Sequence, residues 1–318
     1  MPISARTYFG KIMLFGEYSV ISQGRALSVP ISKFQARLRF PGEEFSLEET
    51  RLNQQLKDYL LDLVRREETE RRDHGIDLNR FALDLLRGLY LESDIPPGYG
   101  AGSSGALVAA VYESYACEPV PYKPFPSPRN MRKLMRRLGM LEAYFHGTSS
   151  GIDPLSCYLQ KPLLIDPEQG NKPVEIPALP FRESGGFFLV DTFLPRKTES
   201  LVNRFYENYS QTQFRSMMHD SYIPLVDFCI DALLEAHPDV IARGIRQLSS
   251  MQMMYFREMI PPGFFGIWNH GLETGEFYLK LCGAGGGGFL LGFTENYDLA
   301  RKFFQKNGDQ FLPFPIPE

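Results

Sequence analysis

The sequence predicts an α/β (α+β) protein of two domains, and three observations lead to this fold class. The chain has 318 residues, which suits two domains of ordinary size. Segments with the two-residue period of strands alternate with segments that have the period of helices. This alternation favours α/β domains over helical bundles or β-sandwiches. Short strands and prolines over 161–184 mark a boundary near residue 180, so we expect domains over 1–180 and 181–318.

The first predicted domain opens with strands. Residues 8–29 have the pattern of a strand, a turn and a second strand, and residues 34–40 alternate apolar with polar side chains. That alternation is typical of a strand with one buried face. Helical periodicity then predicts four helices, over 49–73, 81–90, 106–117 and 129–145.

The second predicted domain opens with a strand over 186–191. Three helices are expected next, over 199–218, 222–236 and 239–259. Two short strands, 277–282 and 289–293, are then joined by a glycine-rich turn over 283–288. So many glycines in one turn indicate backbone with positive φ, or a ligand held against the main chain.

The charge and cysteine content narrow the function classes. The formal net charge is −4, which provides no basic face for nucleic acid or for an anionic membrane. The four cysteines form no CxxC pair, so we expect reduced and mostly buried thiols. No stretch has the apolar run of a signal peptide or the ~18–20 apolar residues of a membrane span. We therefore expect a cytoplasmic protein with a small-molecule partner, and the sequence leaves a homodimer open.

A glycine- and serine-rich loop gives the strongest chemical signal. Residues 96–105 have the sequence PPGYGAGSSG and lead into the predicted helix over 106–117. Alternating glycines let the backbone approach a ligand closely, and a helix N-terminus presents N–H groups at the positive end of its dipole. Together they predict an anion site suited to phosphate. The loop lacks the Gly-Lys-Ser/Thr of a Walker motif, and an ordinary turn whose serine caps the helix stays open as an alternative.

Two carboxylates near a second Gly/Ser turn form the next candidate site. Glu142 falls on the apolar stripe of its predicted helix, where a carboxylate is costly unless it is paired or binds a metal. Asp153 follows the turn over 147–151. Such a pair suits one metal ligand and one general base. For Asp153 the alternative is a turn or capping role. For Glu142 the alternative is an ion pair with a basic residue of the same helix, Arg132, Lys133 or Arg136.

A lysine near the beginning of the chain is the third candidate. Lys11 begins an apolar strand-like run after Gly10, and Glu17 lies six residues later. A lysine at the start of an inner strand reaches a phosphate or holds a carboxylate in place. A lysine on an edge strand extends into water instead.

Four of these segments occur in the order found in the GHMP kinase superfamily, which the chain resembles. They are GKIMLFGEY at 10–18, PPGYGAGSSG at 96–105, GTSSGID at 147–153 and KLCGAGGGG at 280–288. Within the superfamily they are most similar to mevalonate kinase motifs, namely G-K-x-x-L-x-G-E-H, P-x-x-x-G-L-G-S-S-A, G-N-P-S-G-V-D and K-L-T-G-A-G-G-G-G. The segment DTFLPRKT at 191–198 is similar to a weaker family segment, N-T-x-x-P-R-x-T.

The resemblance implies a fold and a reaction. The implied fold is an N-terminal domain of the ribosomal protein S5 type and a ferredoxin-like C-terminal domain. The implied reaction transfers the γ-phosphoryl group of ATP to a small alcohol with Mg²⁺ as cofactor. In this reaction Asp153 takes the proton of the hydroxyl, and Lys11 orients both Asp153 and the γ-phosphate. Ser104 and Glu142 hold Mg²⁺, and Glu142 precedes Asp153 by eleven residues, as in the family.

The other residues carried over from the family lie at the two ligands. Those implied at the nucleotide are Pro97, Gly98, Gly100, Gly102, Ser103, Ser104 and Gly105. Those implied at the substrate are Glu17, Tyr18, Thr198, Gly283, Ala284 and Gly285.

Three departures from the family pattern leave the acceptor open. Tyr18 stands where mevalonate kinases usually have histidine, and a G-E-Y sequence is common in phosphomevalonate kinases. Ala101 and Gly105 replace the leucine and the alanine of the loop. We expect mevalonate as the acceptor, with phosphomevalonate and a sugar or other small alcohol as alternatives. The non-enzyme alternative is a nucleotide-binding regulator on the same fold, which the intact metal and proton-transfer residues argue against.

Overall fold

The chain packs into two compact units. The computed structural model describes residues 3–42, 45–70, 74–178, 184–195, 198–308 and 311–313. The described residues of the first unit belong to Met1–Lys11, Ser32–Pro97 and Ala101–Gln160. Those of the second unit belong to Ile12–Ile31, Gly98–Gly100 and Lys161–Glu318. Each unit combines separate segments of the chain, so the domain boundary that was expected near residue 180 stays a prediction.

The elements before residue 160 follow the sequence pattern closely. The strands described there are β1 (Tyr8–Phe15), β2 (Ala26–Arg39) and β3 (Tyr90–Ser93). The helices described there are α1 (Leu47–Glu70), α2 (Leu78–Leu86), α3 (Ser103–Tyr115), α4 (Pro128–His146) and α5 (Ile152–Leu159). The helix predicted over 81–90 begins three residues earlier, at Leu78, and ends four residues earlier, at Leu86, because Gly88 has φ +91° and ends the helical run before β3. No helix was predicted at α5, which begins directly after Gly151 in the left-handed conformation.

The elements after residue 160 include the predicted strands and helices and several more. The strands are β4 (Leu163–Ile165), β5 (Lys172–Pro173), β6 (Gly186–Asp191), β7 (Tyr278–Leu281), β8 (Phe289–Thr294) and β9 (Phe311–Pro313). The helices are α6 (Thr198–Ser210), α7 (Thr212–Met217), α8 (Ile223–Leu234), α9 (Pro238–Tyr255), α10 (Phe265–Thr274) and α11 (Tyr297–Lys306). No element was predicted at α10, α11 or β9. The mixed α/β class is confirmed.

Two sheets organise these strands. One has the order β7-β8-β6-β9, and its registered pairs are antiparallel, with Leu281 opposite Leu290 and Phe187 opposite Phe293. The other has the order β1-β2-β4-β5, with β3 also paired to β2. Within the first unit β2 pairs with β3 through 36–39, and within the second unit β2 pairs with β4 through 26–28.

The first unit is built around α3. Its residues Ala106, Val108, Ala109 and Val111 are completely buried, and helices α4 and α5 pack against it. A helix that is apolar on most of its surface is stable only in a protein interior, and small alanines permit close approach of its neighbours. The N-terminus of α3 is therefore held firmly, which matters for the loop that precedes it.

The second unit has an aromatic core. Phe187 lies against Phe15 and Phe293, with ring centroids 6.2 and 5.3 Å away.

Three of the four cysteines are buried, namely Cys157, Cys229 and Cys282, as expected, and Cys117 is exposed. Among the described residues of both units, no helix is long and apolar enough to cross a lipid bilayer.

Candidate active site

The Gly/Ser loop ends in a helix N-terminus, as predicted. Gly102 has φ +82° and precedes Ser103, the first residue of α3. A Cβ at Gly102 would lie 2.9 Å from Lys11 Cγ and 3.2 Å from Cys157 Sγ. The backbone N–H of Lys11 donates to the Ala101 carbonyl at 2.8 Å, which holds the loop against β1. Only glycine combines this φ with so close an approach, and the first N–H groups of α3 thereby face the loop.

Glu142 is a buried carboxylate beside that helix N-terminus. The Ser104 hydroxyl donates to its Oε1 at 3.1 Å, and the Ser149 hydroxyl donates to its Oε2 at 2.5 Å. Burial, and then the charge of Asp153, raise the pKa of Glu142 to about 7, although both serines and Lys11 act in the opposite direction. The side chain is 3% exposed, so an ionised form needs a cation that the two hydroxyls do not supply.

Among the described residues, Glu142 is not ion-paired with a basic residue of its own helix, which was the alternative to a metal site. Lys133 lies 3.6 Å from Glu118 instead. Among the described residues, the hydrogen-bond partners of Glu142 are the serines from the two Gly/Ser segments. The helix α4 thus presents this carboxylate to the loops rather than to its own basic side chains.

Lys11 and Asp153 form an ion pair with a 2.6 Å separation between Nζ and Oδ1. The Lys11 side chain is 6% exposed, so it is not a lysine that extends into water from an edge strand. Asp153 lies in the first turn of α5, and its side chain is 38% exposed. The pair combines a buried cation with a carboxylate that a ligand can reach.

The departure at Gly105 has a packing reason. A Cβ at this position would lie 2.9 Å from the carbonyl carbon of Asp153 and 3.0 Å from the nitrogen of Pro154. Helix α3 therefore approaches the beginning of α5 too closely for the alanine of the family pattern. Gly105 is buried, and its side of the helix packs against the segment that carries Asp153. Its place at the nucleotide stays a prediction.

The remaining loop residues predicted at the nucleotide vary in exposure. Pro97 and Gly98 are exposed, and Gly100 is half-buried. Ser103 and Ser104 are both half-buried in the first turn of α3. The predicted roles of these residues stay predictions.

The residues predicted at the substrate from 17, 18 and 283–285 belong to the second unit. Glu17 is buried in an ion pair with Lys280, whose Nζ also donates to the Leu281 carbonyl at 2.7 Å. The Tyr18 hydroxyl donates to the Ala284 carbonyl at 2.8 Å, and the residue is 1% exposed. This burial does not support direct substrate contact by Glu17 or Tyr18, because both side chains are occupied by protein groups.

The turn over 283–288 has the positive φ values that its glycines predicted. Gly283 has φ +69° and Gly285 has φ +75°. Gly283 and Ala284 are half-buried, and Gly285 is buried. Thr198 begins α6, and its side chain lies outside the part of the chain that the structure describes.

Two neighbours of the first-unit site were not predicted from the sequence. Ser149 lies in the GTSSGID segment, and its hydroxyl fixes the second oxygen of Glu142. His146 lies one helical turn after Glu142, and its Nε2 is 3.4 Å from the Ser104 Oγ. The four-residue spacing of His146 from Glu142 was a usable signal, since such residues share a helix face. Nothing local in the sequence singled out Ser149 from its neighbours.

A family model and a curated relative match this chain. The family model described as GHMP kinases N terminal domain matches residues 64–161. A mevalonate kinase of Archaeoglobus fulgidus is 27% identical over 296 residues, which are 89% of this chain and 89% of the relative.

Solved structures share the fold over nearly the whole chain. The crystal structure of L. major mevalonate kinase in complex with R-mevalonate has a TM-score of 0.67 at 17% identity, covering 99% of this chain and 98% of that chain. Streptococcus pneumoniae phosphomevalonate kinase in complex with phosphomevalonate and AMPPNP has a TM-score of 0.64 at 15% identity, covering 99% and 100%. The predicted GHMP kinase fold is thereby confirmed. The family model, the curated relative and the shared fold agree with the predicted resemblance to the GHMP kinase superfamily, whose members are ATP-dependent kinases.

Proposed function

We propose that this protein is a mevalonate kinase that transfers the γ-phosphoryl group of ATP to a hydroxyl of mevalonate and forms 5-phosphomevalonate. One observation carries the kinase chemistry: a helix N-terminus, a buried carboxylate and a lysine-paired carboxylate lie together in the first unit. The acceptor is proposed from the similarity to the Archaeoglobus fulgidus mevalonate kinase, which extends over 89% of both chains.

The phosphates of ATP are proposed to bind at the beginning of α3. Gly102 carries no side chain there, and a branched residue would meet Lys11 and Cys157. The N–H groups of Ser103 and Ser104 then donate to phosphate oxygens at the positive end of the helix dipole. Backbone donors need no reorganisation during phosphoryl transfer, so they stabilise its charge effectively.

The residues around Glu142 fit a magnesium ion. Mg²⁺ is usually held by one or two carboxylates together with substrate phosphates and water, so a cluster of three protein ligands is not required. Among the described residues, no three His, Cys, Asp or Glu side chains are grouped so that they could hold a metal ion. Ser104 and Glu142 offer oxygen ligands 3.1 Å apart, and the burial of Glu142 favours a compensating cation. When bound, the ion would neutralise charge on the phosphate oxygens.

Asp153 is proposed as the proton acceptor. Lys11 holds its Oδ1 at 2.6 Å, which fixes the carboxylate relative to the loop at Gly102. As the acceptor oxygen attacks the γ-phosphorus, its hydroxyl proton passes to the carboxylate of Asp153. The bond from the γ-phosphorus to the β,γ-bridging oxygen breaks, and ADP leaves with that oxygen.

Phosphomevalonate is the second candidate acceptor. The fold similarity to the Streptococcus pneumoniae phosphomevalonate kinase is nearly as high as that to the mevalonate kinase of L. major. The resemblance of the G-E-Y sequence at 16–18 to phosphomevalonate kinases is the sequence feature behind this candidate.

A coupled assay of ADP release distinguishes these possibilities. The acceptors are mevalonate, 5-phosphomevalonate, homoserine and galactose, each with saturating ATP and Mg²⁺. We expect the highest kcat/KM with mevalonate. A higher value with another acceptor replaces the proposed substrate. ATP binding without ADP release above the acceptor-free rate, with all four acceptors, contradicts the kinase proposal and favours a regulator.

A further inference from the structure

Tyr18 has the geometry of a support for the glycine-rich turn. Its hydroxyl donates to the Ala284 carbonyl at 2.8 Å across 266 residues of sequence. The residue is 1% exposed, while Gly283 and Ala284 are half-buried and offer backbone to a ligand. The phenol therefore contacts the turn from the protein interior, and the accessible surface belongs to the turn.

Two aromatic rings fix the position of the Tyr18 hydroxyl. Phe205 and Phe256 are stacked near the ring at centroid distances of 4.7 and 5.2 Å, each with an interplanar angle of 26°. Stacked aromatic neighbours restrict rotation and add about 0.5–1.5 kcal/mol per pair beyond area burial. A hydroxyl on such a ring is a defined donor, unlike one on a mobile side chain.

The neighbouring residue holds the strand that enters the turn. Glu17 and Lys280 are ion-paired with side chains that are each 1% exposed. Lys280 precedes Gly283 by three residues at the end of β7. Glu17 thus binds the strand that enters the turn, and the adjacent Tyr18 binds Ala284, the second residue of the turn. On its far side the turn is held by the Gly286 N–H, which donates to the Met259 carbonyl at 2.6 Å.

We infer that Tyr18 is a positioning residue, which sets the Ala284 carbonyl and the backbone of 283–285 and does not contact the acceptor. The tyrosine in place of the usual histidine is then a change in how the turn is supported. It carries no preference for a phosphorylated acceptor. A shorter imidazole would not reach the same carbonyl with the backbone unchanged. The identity of the acceptor in this inference rests on the proposed function, but the support of the turn does not.

The matched variants are Tyr18→Phe and Tyr222→Phe. The first removes only the hydroxyl that binds Ala284. Tyr222 is completely buried beside Phe256, and its hydroxyl accepts from the Gln252 amide at 2.9 Å rather than from the turn. Both variants lose one buried hydrogen bond in the same aromatic cluster, so a merely structural effect is common to both.

Hydrogen–deuterium exchange of the peptide that covers 282–290 tests the support directly. We expect Tyr18→Phe to raise amide exchange there by roughly tenfold, the scale for losing one buried hydrogen bond. Tyr222→Phe should leave that peptide unchanged, because the Gln252 amide that binds the Tyr222 hydroxyl accepts in turn from the Leu281 N–H, and Leu281 lies outside the peptide. Equal exchange in the two variants, or no change in Tyr18→Phe, overturns the inference. This measurement needs no acceptor, so it stands even when wild-type protein fails to phosphorylate mevalonate.

Kinetics test the second half of the inference. We expect Tyr18→Phe to lower kcat/KM for mevalonate by roughly tenfold, chiefly through KM, since a misplaced turn weakens binding before it affects chemistry. The ratio of kcat/KM for mevalonate to that for 5-phosphomevalonate should stay within about twofold of wild type. A shift of that ratio toward either acceptor shows that the hydroxyl contacts the acceptor, and overturns the positioning role.

Discussion

Replacing Glu142 by glutamine removes a charge from a buried site while keeping its shape. Burial raises the pKa of Glu142 to about 7 from an ordinary value of 4.5. The folded protein therefore binds this proton more tightly than the unfolded chain does, and ionisation of the carboxyl destabilises the fold. This destabilisation is small below pH 4.5, grows as the pH rises toward 7, and reaches its full size above pH 7.

The size of this effect follows from the pKa difference. A difference of about 2.5 corresponds to about 3 kcal/mol at 1.36 kcal/mol per tenfold change in proton affinity. We expect Glu142→Gln to raise the free energy of unfolding of the nucleotide-free protein by about 3 kcal/mol at pH 8 and by less than about 1 kcal/mol at pH 5. The same variant should lose the effect of Mg²⁺ on ATP binding, because a neutral amide is a weaker ligand for a hard cation.

The assay is equilibrium urea unfolding, followed by far-UV circular dichroism, at pH 5, 6.5 and 8 with a chelator present. Glu48→Gln is the matched control, because its side chain is 75% exposed and its change should stay within about 0.5 kcal/mol at every pH. A variant that is less stable than wild type by the same amount at pH 5 and pH 8 would refute the reasoning. In that case the ionised carboxylate is already compensated by protein groups, and the basis for a cation site is lost.

Three further substitutions test the other parts of the site. Asp153→Asn should lower kcat by about 10²–10⁴-fold with little change in ATP affinity; near-normal single-turnover rates with a lowered Tm would contradict the role of base. Gly102→Val adds a branched side chain where φ is +82°, so calorimetry should find ATP affinity sharply reduced, and unchanged affinity in a folded variant removes the loop from the site. Gly105→Ala places a methyl group 2.9 Å from the Asp153 carbonyl carbon. It should destabilise by about 1–3 kcal/mol and lower kcat by up to about 10²-fold; unchanged kcat and Tm would show that α3 and α5 separate freely.

Local sequence predicted the elements well where the signal was periodic or conformational. The bounds of α4 follow from apolar spacing to within one residue, whereas α3 begins three residues and ends two residues before its predicted bounds. The positive φ at Gly102 follows from a loop that needs glycine. The prediction was wrong at the end of α2, where Gly88 ends the helix early. It missed α5, because eight residues after a turn carry too little periodicity to be recognised.

Pairing between distant residues was beyond sequence reasoning. Ser104 and Glu142 are 38 residues apart, and Lys11 and Asp153 are still farther apart. For each of these residues the sequence left open both a functional role and a purely structural role. Packing of α3 against α4 and α5 decided between them, because it removed Glu142 from water and from its basic neighbours.

The sequence by itself indicated the resemblance to GHMP kinases, the fold class and the segments proposed to carry the chemistry, since a phosphate loop and a glycine turn depend on local backbone conformation. Tertiary structure alone decided what individual side chains in those segments do. Tyr18 lies within a recognisable motif, yet its hydroxyl binds Ala284, and the closeness of α5 explains a glycine at position 105. The physical reason is that a side chain's direction and burial depend on contacts made across hundreds of residues, which no local pattern encodes.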